Sequence, residues 1–202
     1  LNIYKIFNKK IYIEKAREIG EHLIQLSQKS DYGIGWGVPY NWVTPKGIVP
    51  RNNPLIVQTA YCFDAFLCLF EETNDKNYID ILNNVVNFIF HDLDMPNESN
   101  SCAPSKYGYN YPAITFNTIA LRIDILIKAY KLFNRQEYYD AALKNINYLK
   151  INQNIDGSWY YSNESKSVDN FHTCYILQSL YKVYSLNRNN EIKEMADIGY
   201  RY

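Results

Sequence analysis

The stretch Q-N-I-D-G-S-W-Y-Y (residues 153–161), which leads through a polar linker to V-D-N-F-H (168–172), decides the fold. Asp156-Gly157 is a turn signal, because glycine reaches positive φ without steric cost and aspartate accepts hydrogen bonds from the backbone that follows it. Asp169 stands where the next apolar pattern begins, which is the position of a helix N-cap. The stretch therefore predicts a turn with large aromatic residues directly after it. The helix N-terminus that follows has free N–H groups, which favour an anionic ligand.

Two kinds of helix alternate along the chain. Amphipathic patterns predict helices at residues 11–30, 77–93, 138–152 and 191–202. Patterns that are apolar almost all round predict buried helices at 55–74, 113–133 and 169–186. Long aromatic loops precede the buried helices, and the glycines and prolines of the loop at 31–54 predict no regular element there. A loop of that length in a compact domain is usually functional.

Short strings at the starts of the amphipathic helices align without gaps. They are K-I-Y-I-E-K-A at Tyr12, K-N-Y-I-D-I-L at Tyr78, Q-E-Y-Y-D-A-A at Tyr138 and N-E-I-K-E-M-A at Ile192, which gives intervals of 66, 60 and 54 residues. An asparagine lies four residues before each of the three tyrosines, Tyr12, Tyr78 and Tyr138. The pattern predicts an internal repeat of helical hairpins.

Hairpin repeats form either an open solenoid or a closed α/α toroid. We favour the all-α toroid, because each long loop joins an amphipathic helix to the next apolar one, so that all loops emerge at one end. Residues 1–202 are expected to form a single α/α-toroid domain. The chain holds only about three and a half hairpins by this repeat. It is therefore a fragment of a longer ring, an open partial toroid, or a chain that self-associates to complete the ring.

Composition excludes several classes of partner. The formal net charge is zero, so the chain has no excess of positive charge that would favour binding to nucleic acid or an anionic membrane. No apolar run reaches the roughly 20 residues that span a bilayer. The four cysteines have no framework spacing, which is typical of thiols in a reducing compartment, and we expect a cytoplasmic protein. No histidine–carboxylate cluster predicts a metal site, and no cofactor is expected.

Three ordered motifs carry a resemblance to a known family. They are G-W-G-V-P-Y-N-W (35–42), V-P-R-N-N-P-L-I-V-Q-T-A-Y (49–61), and Q-N-I-D-G-S-W-Y-Y with V-D-N-F-H-T-C-Y-I-L. Together they resemble the α/α-toroid proteins of bacterial surface-polysaccharide clusters. Those proteins are related to the glucuronyl C5-epimerase C-terminal domain and, more distantly, to six-hairpin glycosidases and uronate lyases. The resemblance implies a carbohydrate partner and a role in polysaccharide biosynthesis. The Q-x-x-D-G-S-W string is also similar to the repeat of triterpene cyclases, but here it occurs once and no D-x-D-D motif accompanies it.

Aromatic residues on the long loops are the first candidates for a carbohydrate site. Tyrosine has a large apolar body and a polar tip, so a chain with 20 tyrosines suits a wet, aromatic-lined surface. These residues would form a stacking floor for sugar rings, or alternatively plug the mouth of the barrel. They are Trp36, Tyr40, Trp42, Tyr107, Tyr109, Tyr111, Trp159, Tyr160 and Tyr161.

Polar residues near the starts of the buried helices are candidate ligands of a uronate. Arg51 offers a bidentate fork for a carboxylate, although it could instead pair with Asp31 or Asp169. Asn170 and Gln58 could also hold a carboxyl group. Asp169 is placed among the substrate-binding residues, although its position suits a helix cap better than an acid.

The candidate proton-transfer residues are His172, Tyr160 and Tyr61. An imidazole near pKa 6.5 in a cleft with tyrosine can move a proton to or from a sugar C5 atom. The alternative is that His172, in the first helical turn, only bonds locally.

The carboxylates argue against plain glycoside hydrolysis, which needs two carboxyl groups about 5 to 9.5 Å apart. Asp156 and Asp169 are expected to serve the turn and the cap, whereas Asp94, Glu98 and Glu164 lie in solvated polar segments. The sequence therefore predicts a carbohydrate-active domain with epimerase- or lyase-like chemistry on a uronate-containing glycan. The alternative is a catalytically silent carbohydrate-binding or scaffolding module.

Overall fold

The computed structural model describes residues 1–95, 99 and 101–202, and its regular structure is mostly helical. The described residues form two compact units, Leu1–Phe88 and Ile89–Tyr202. The expectation of one domain over residues 1–202 stays a prediction. Among the described residues, no helix combines the length and apolar character needed to cross a bilayer.

The first unit contains four α-helices and two short β-hairpins. The helices are α1 (Asn2–Phe7), α2 (Lys10–Leu26), α3 (Ile56–Thr73) and α4 (Asn77–Asn87). The antiparallel pairs are β1 (Gln28–Lys29) with β2 (Ile34–Gly35), and β3 (Trp42–Thr44) with β4 (Gly47–Val49). A π-helix, Phe88–Asp92, follows α4.

The two hairpins correct the expectation that residues 31–54 hold no regular element. Glycine and proline exclude long strands, but these strands have only two or three residues, and glycines make their tight packing possible. A Cβ atom on Gly33 would lie 2.1 Å from the Asn84 carbonyl oxygen, so only glycine fits there. Gly47 has φ +119° at the turn between β3 and β4, a conformation that favours glycine.

The core of the first unit is built on α3, as its apolar pattern predicts. Phe63, Phe66 and Leu69 of α3 are buried, and the Trp36 ring stacks on Phe66 with centroids 5.8 Å apart. In contrast, α2 buries only Gly20, which agrees with its amphipathic pattern.

The second unit contains the other four helices, α5 (Phe116–Phe133), α6 (Gln136–Ile151), α7 (Asn170–Asn187) and α8 (Asn190–Arg201). Helix α5 is the most deeply buried element, with Ile119, Ile123 and Leu126 in its core face. It packs against α6 and α7, and α7 packs against α8. Apolar helices thus alternate with amphipathic ones, as predicted.

The hairpin repeat has a backbone cause. The apolar helices α3, α5 and α7 end at Asn74, Asn134 and Arg188, which all adopt the left-handed conformation. The backbone N–H of each donates to the carbonyl four residues earlier, and asparagine tolerates this conformation better than most residues. Asn8 caps α1 in the same way. The asparagines that lie four residues before Tyr12, Tyr78 and Tyr138 are therefore helix C-caps.

Candidate functional site

The loop at residues 152–169, here called the third loop, turns at Asp156-Gly157 as the sequence predicts. Asp156 Oδ1 accepts hydrogen bonds from the Ser158 backbone N–H (3.0 Å) and hydroxyl (2.8 Å), and these bonds lower the pKa of the carboxyl. Gly157 has φ +95°. The Gln153 side chain donates to the carbonyls of Gly157 (2.9 Å) and Met195 (3.0 Å), which ties the turn to α8.

Trp159 lies in the core of the second unit. Its side chain is 2% exposed, and its indole N–H donates to the Leu149 carbonyl at 2.8 Å. A Cβ atom on Gly199 would lie 2.5 Å from the indole ring, so α8 makes room for it with a glycine. The ring therefore presents no face to a sugar, contrary to the expectation of a stacking residue.

Trp36 has the same arrangement in the first unit. It is 4% exposed, and its indole N–H donates to the Leu23 carbonyl at 2.7 Å. Its backbone N–H donates to the Thr59 hydroxyl at 3.0 Å. Trp36 and Trp159 are therefore anchors that hold loops to helices, because their large apolar rings gain more from burial than from solvent contact.

Helix α7 begins with a carboxylate–imidazole pair. Asp169 is its N-cap, as predicted, and Oδ1 accepts a hydrogen bond from the His172 backbone N–H at 2.8 Å. The second oxygen, Oδ2, lies 2.5 Å from His172 Nδ1. The bond from the backbone N–H lowers the pKa of the Asp169 carboxyl, and the bond to the imidazole lowers it further. In the neutral imidazole, this carboxylate favours a proton on Nδ1, which leaves the lone pair on Nε2.

Tyrosine side chains lie on one side of this pair, where Tyr161 contacts His172 and interacts electrostatically with Tyr107 and Tyr111. The Tyr161 ring packs edge-on against the His172 ring, with centroids 4.9 Å apart. Burial raises the pKa of Tyr161, and the charges of Tyr111 and Asp169 raise it further. Burial also raises the pKa of Tyr107 to about 12, with smaller contributions from Tyr161 and Tyr111. These phenols are therefore protonated at neutral pH and can donate hydrogen bonds.

A buried arginine fixes the loop that carries Tyr107 and Tyr111. Arg122 of α5 is 1% exposed and donates to the carbonyls of Ile89 and Phe90, both at 3.0 Å. Its guanidinium also bonds Asp94 Oδ1 and Asn145 Oδ1, both at 3.1 Å, and the Asn145 amide donates to the Ala103 carbonyl at 2.8 Å. Burial lowers the pKa of Arg122, which Asp94 partly offsets. The sequence analysis missed this network, because an arginine in an apolar helix has no local signature.

The structure therefore brings one group of side chains together in the second unit. We call it the α7 cluster, and it consists of Tyr107, Tyr111, Tyr161, Asp169 and His172. Of the residues predicted to act in catalysis, it contains only His172. Tyr160 is half-buried beside Tyr161, Tyr109 is half-buried between Tyr107 and Tyr111, and Asn170 is exposed at the start of α7.

The predicted site residues of the first unit lie on the β3–β4 hairpin, on the segments directly before and after it, and on α3. Tyr40, Arg51 and Tyr61 are exposed, and Trp42 and Gln58 are half-buried. The backbone N–H of Arg51 donates to Asn41 Oδ1 at 2.9 Å. The Gln58 Oε1 atom is buried and accepts no hydrogen bond from any described residue.

Two further expectations concern acids and metals. Glu98 lies outside the described residues. Within residues 1–95, 99 and 101–202, no group of three or more His, Cys, Asp or Glu side chains is placed to hold a metal ion.

No protein-family model and no curated protein matches this sequence, so the similarity to known proteins is structural. A cellobiose 2-epimerase from Bacillus thermoamylovorans superimposes with a TM-score of 0.76 at 11% identity, over 98% of this chain and 55% of that one. A family 76 α-mannanase from Bacteroides thetaiotaomicron superimposes with a TM-score of 0.65 at 14% identity, over 97% of this chain and 52% of that one. A polysaccharide lyase gives 0.61 at 16% identity, over 97% and 53%.

These similarities confirm the predicted fold class. The chain has the all-α fold of α/α-toroid proteins, and it spans about half the length of the structures that it matches.

Proposed function

We propose that this chain is a carbohydrate-active α/α-toroid domain that moves a proton on a uronate-containing glycan, in an epimerase- or lyase-like reaction. The observation that carries the proposal is the α7 cluster, where Asp169 orients His172 and the Tyr161 ring packs against it. The names of the matched structures support a carbohydrate as substrate, since they include a cellobiose 2-epimerase, an α-mannanase and a polysaccharide lyase.

The chemistry follows from the protonation states of the cluster. Neutral His172 accepts the C5 proton of the uronate at Nε2, and the Asp169 carboxylate stabilises the imidazolium that forms. A protonated phenol, Tyr161 or the predicted Tyr160, then returns a proton to the opposite face of C5, which completes an epimerisation. If the same phenol protonates the leaving oxygen at C4 instead, the result is an elimination.

The uronate carboxylate needs donors of its own. Asn170 lies in the first turn of α7, where its side chain and the helix N-terminus favour an anion. The first unit is considered by itself. We propose that its carboxylate ligands are Arg51 and Gln58 and that its sugar contacts are Tyr40 and Trp42. The proposed acid–base residue there is Tyr61. The relation to the glucuronyl C5-epimerase C-terminal domain, a place in bacterial surface-polysaccharide synthesis and a cytoplasmic location belong to this proposal as well.

The test is hydrogen exchange on the sugar. The 202-residue chain is incubated in D2O with a glucuronate-containing oligosaccharide, and deuterium at C5 is followed by NMR. An epimerase incorporates deuterium at C5, whereas a lyase gives an unsaturated product that absorbs in the ultraviolet. His172→Gln is expected to lower either rate about 100-fold or more, because a positioned acid–base group contributes at least that much.

His22→Gln is the matched control, because His22 lies on the amphipathic helix α2 and no role is proposed for it. It should leave the rate unchanged. Equal rates for the wild-type chain and His172→Gln would contradict the proposal.

The second candidate is a catalytically silent carbohydrate-binding or scaffolding module. The observation that favours it is that the α7 cluster contains only one of the three residues predicted to act in catalysis, His172. In this case the chain binds uronate oligosaccharides in calorimetry without deuterium incorporation. If copies self-associate to complete a ring, light scattering should give a mass that is a multiple of 23.8 kDa.

A further inference from the structure

The apolar helices share a second repeat, in their first turns. The strings V-Q-T (57–59), F-N-T (116–118) and F-H-T (171–173) lie in the first turns of α3, α5 and α7, and F-N-T is one residue closer to its N-cap than the other two strings are. In α5 and α7 the threonine hydroxyl donates a hydrogen bond to a backbone carbonyl. Thr118 donates to the Thr115 carbonyl, and Thr173 donates to the Asp169 carbonyl, both at 2.8 Å. The central residue is polar in each string, although these helices are largely apolar. Asn117 is the second residue of α5, one position closer to the N-cap than His172, which is the third residue of α7.

Asn117 is buried without a complete set of hydrogen bonds. The residue is 5% exposed, and its Oδ1 atom is buried and receives no hydrogen bond from any described residue. Gln58 Oε1, in the first turn of α3, is the other buried side-chain atom in this condition among the described residues. A buried carbonyl oxygen without a donor costs stability, so a residue that leaves one there needs another reason to be present.

Asn117 adjoins the α7 cluster through the backbone. The Phe116 backbone N–H donates to the Tyr161 carbonyl at 3.2 Å, and Thr115 pairs with Ser162 in a β-bridge. Helices α5 and α7 are also joined where the Ser179 hydroxyl donates to the Ala120 carbonyl at 2.7 Å. The start of α5 is thus bonded directly to the residue whose ring packs on His172.

We propose that Asn117 is a specificity-determining residue that accepts a hydrogen bond from a sugar hydroxyl group. An acceptor selects for a donor, so Oδ1 suits a hydroxyl and not the carboxylate of the uronate. Asn117 thus recognises the neutral part of the sugar, while His172 in the first turn of α7 handles the proton. This inference rests on the proposed carbohydrate function, because the donor is supplied by the ligand.

Stability provides the first test, with a matched pair of buried asparagines in the second unit. Asn117→Leu removes an acceptor that has no partner, so we expect the Tm of the unliganded chain to stay constant or rise by about 2–4 °C. Asn145→Leu removes an amide that bonds both Arg122 and Ala103, and it should lower the Tm by about 6 °C or more. A comparable loss of Tm in both variants would overturn the inference, because Asn117 would then be structural.

Binding provides the second test, by calorimetry with a glucuronate-containing disaccharide and the neutral disaccharide cellobiose. Asn117→Leu should weaken each sugar that the wild-type chain binds by about 10-fold or more, since one hydrogen bond in a buried site is worth at least that much. An analogue that lacks the recognised hydroxyl should bind the wild-type chain and Asn117→Leu equally well.

The outcomes separate this inference from the proposed function. Wild-type binding that Asn117→Leu leaves unchanged overturns the role of Asn117 alone. If the wild-type chain binds cellobiose but not the glucuronate sugar, the uronate proposal is overturned. In that case the proposed role of Asn117 is supported if Asn117→Leu weakens the binding of cellobiose. If the wild-type chain binds no sugar, both are overturned.

Discussion

Two loops of this protein share an anchor but differ in what they present to solvent. The first loop, residues 27–55, and the third loop, residues 152–169, each leave an amphipathic helix and lead into an apolar one. Each buries one tryptophan, whose indole N–H donates to a carbonyl of the preceding helix, Leu23 for Trp36 and Leu149 for Trp159. Beyond the anchor the loops diverge.

The two loops differ in the side chains that follow the buried tryptophan. The first loop forms the β3–β4 hairpin, where Val43 and Ile48 pair across the strands and are both exposed. It ends at Leu55, which caps α3 without a side-chain hydrogen bond. The third loop ends at Asp169, whose carboxylate caps α7 and also orients His172. The repeated tryptophan therefore maintains the fold, and the residues that differ between the loops supply the groups of the proposed site.

Removal of the anchors should have the largest effect on stability. Trp36→Ala and Trp159→Ala should each lower the free energy of unfolding by about 3–5 kcal/mol, because a large buried ring is replaced by a cavity. The phenylalanine variants keep most of the ring and should cost about 1 kcal/mol from the lost indole hydrogen bond alone. Urea unfolding measures all four. A tryptophan whose alanine variant costs under about 1 kcal/mol would not be an anchor.

The same variants sharpen the comparison between the loops. Trp159→Phe should also lower deuterium incorporation at the sugar, because Trp159 holds the segment that carries Tyr161. If Trp159→Phe destabilises the chain and yet leaves incorporation unchanged, the anchor does not position the α7 cluster.

Glycines in the two loops form a second matched pair, with a smaller expected effect. Gly47 and Gly157 both have positive φ, +119° and +95°. A Cβ atom on Gly47 meets nothing within 4 Å, whereas one on Gly157 would lie 2.7 Å from the Ile198 carbonyl oxygen. Gly47→Ala should therefore cost about 1–2 kcal/mol from backbone strain alone.

Gly157→Ala should cost about 1–3 kcal/mol more than Gly47→Ala, because the contact with α8 is added to the strain. The comparison uses urea unfolding of both variants under one set of conditions. Equal losses would show that the third loop shifts away from α8 at little cost.

Sequence patterns were sufficient for α2 to α8 but not for the short α1, because amphipathic and apolar periodicity reflects local geometry only over several turns. The Asp156-Gly157 turn and the Asp169 cap were predictable for the same reason, since both depend on bonds within three residues. The short hairpins were not, because their position depends on tertiary contacts such as that of Gly33 with Asn84.

The aromatic residues mark the limit of sequence reasoning about the site. Trp159 and Tyr161 lie two positions apart in one aromatic run, yet the first is an anchor and the second packs on His172. Only the position of α6 and α8 decides which ring is buried. A signal for Asn117 was present, since F-N-T and F-H-T both place a polar residue in the first turn of an apolar helix.

Asp169 has two roles that substitution can separate, with the smallest expected change in stability. Asp169→Asn keeps a good N-cap and should alter the free energy of unfolding at pH 7 by a few tenths of a kcal/mol, whereas Asp169→Ala should cost about 0.5–2 kcal/mol. Both remove the carboxylate that orients His172, so both should lower deuterium incorporation. Preserved incorporation in Asp169→Asn would limit Asp169 to the cap.

The pH dependence of stability distinguishes the carboxylate from its amide replacement. The pKa of Asp169 is lowered in the folded chain from its ordinary value of 3.8, chiefly by the His172 backbone N–H, so the folded state binds this proton more weakly than the unfolded state does. The stabilisation is therefore complete above pH 3.8 and is lost as the pH falls through the lowered pKa. The side chain is 42% exposed, so solvent screening keeps the effect small. Urea unfolding at pH 7 and pH 3 should show a larger loss on acidification for the wild-type chain than for Asp169→Asn. An equal loss in both chains would mean that the cap acts by geometry and that the charge of Asp169 serves only to orient His172.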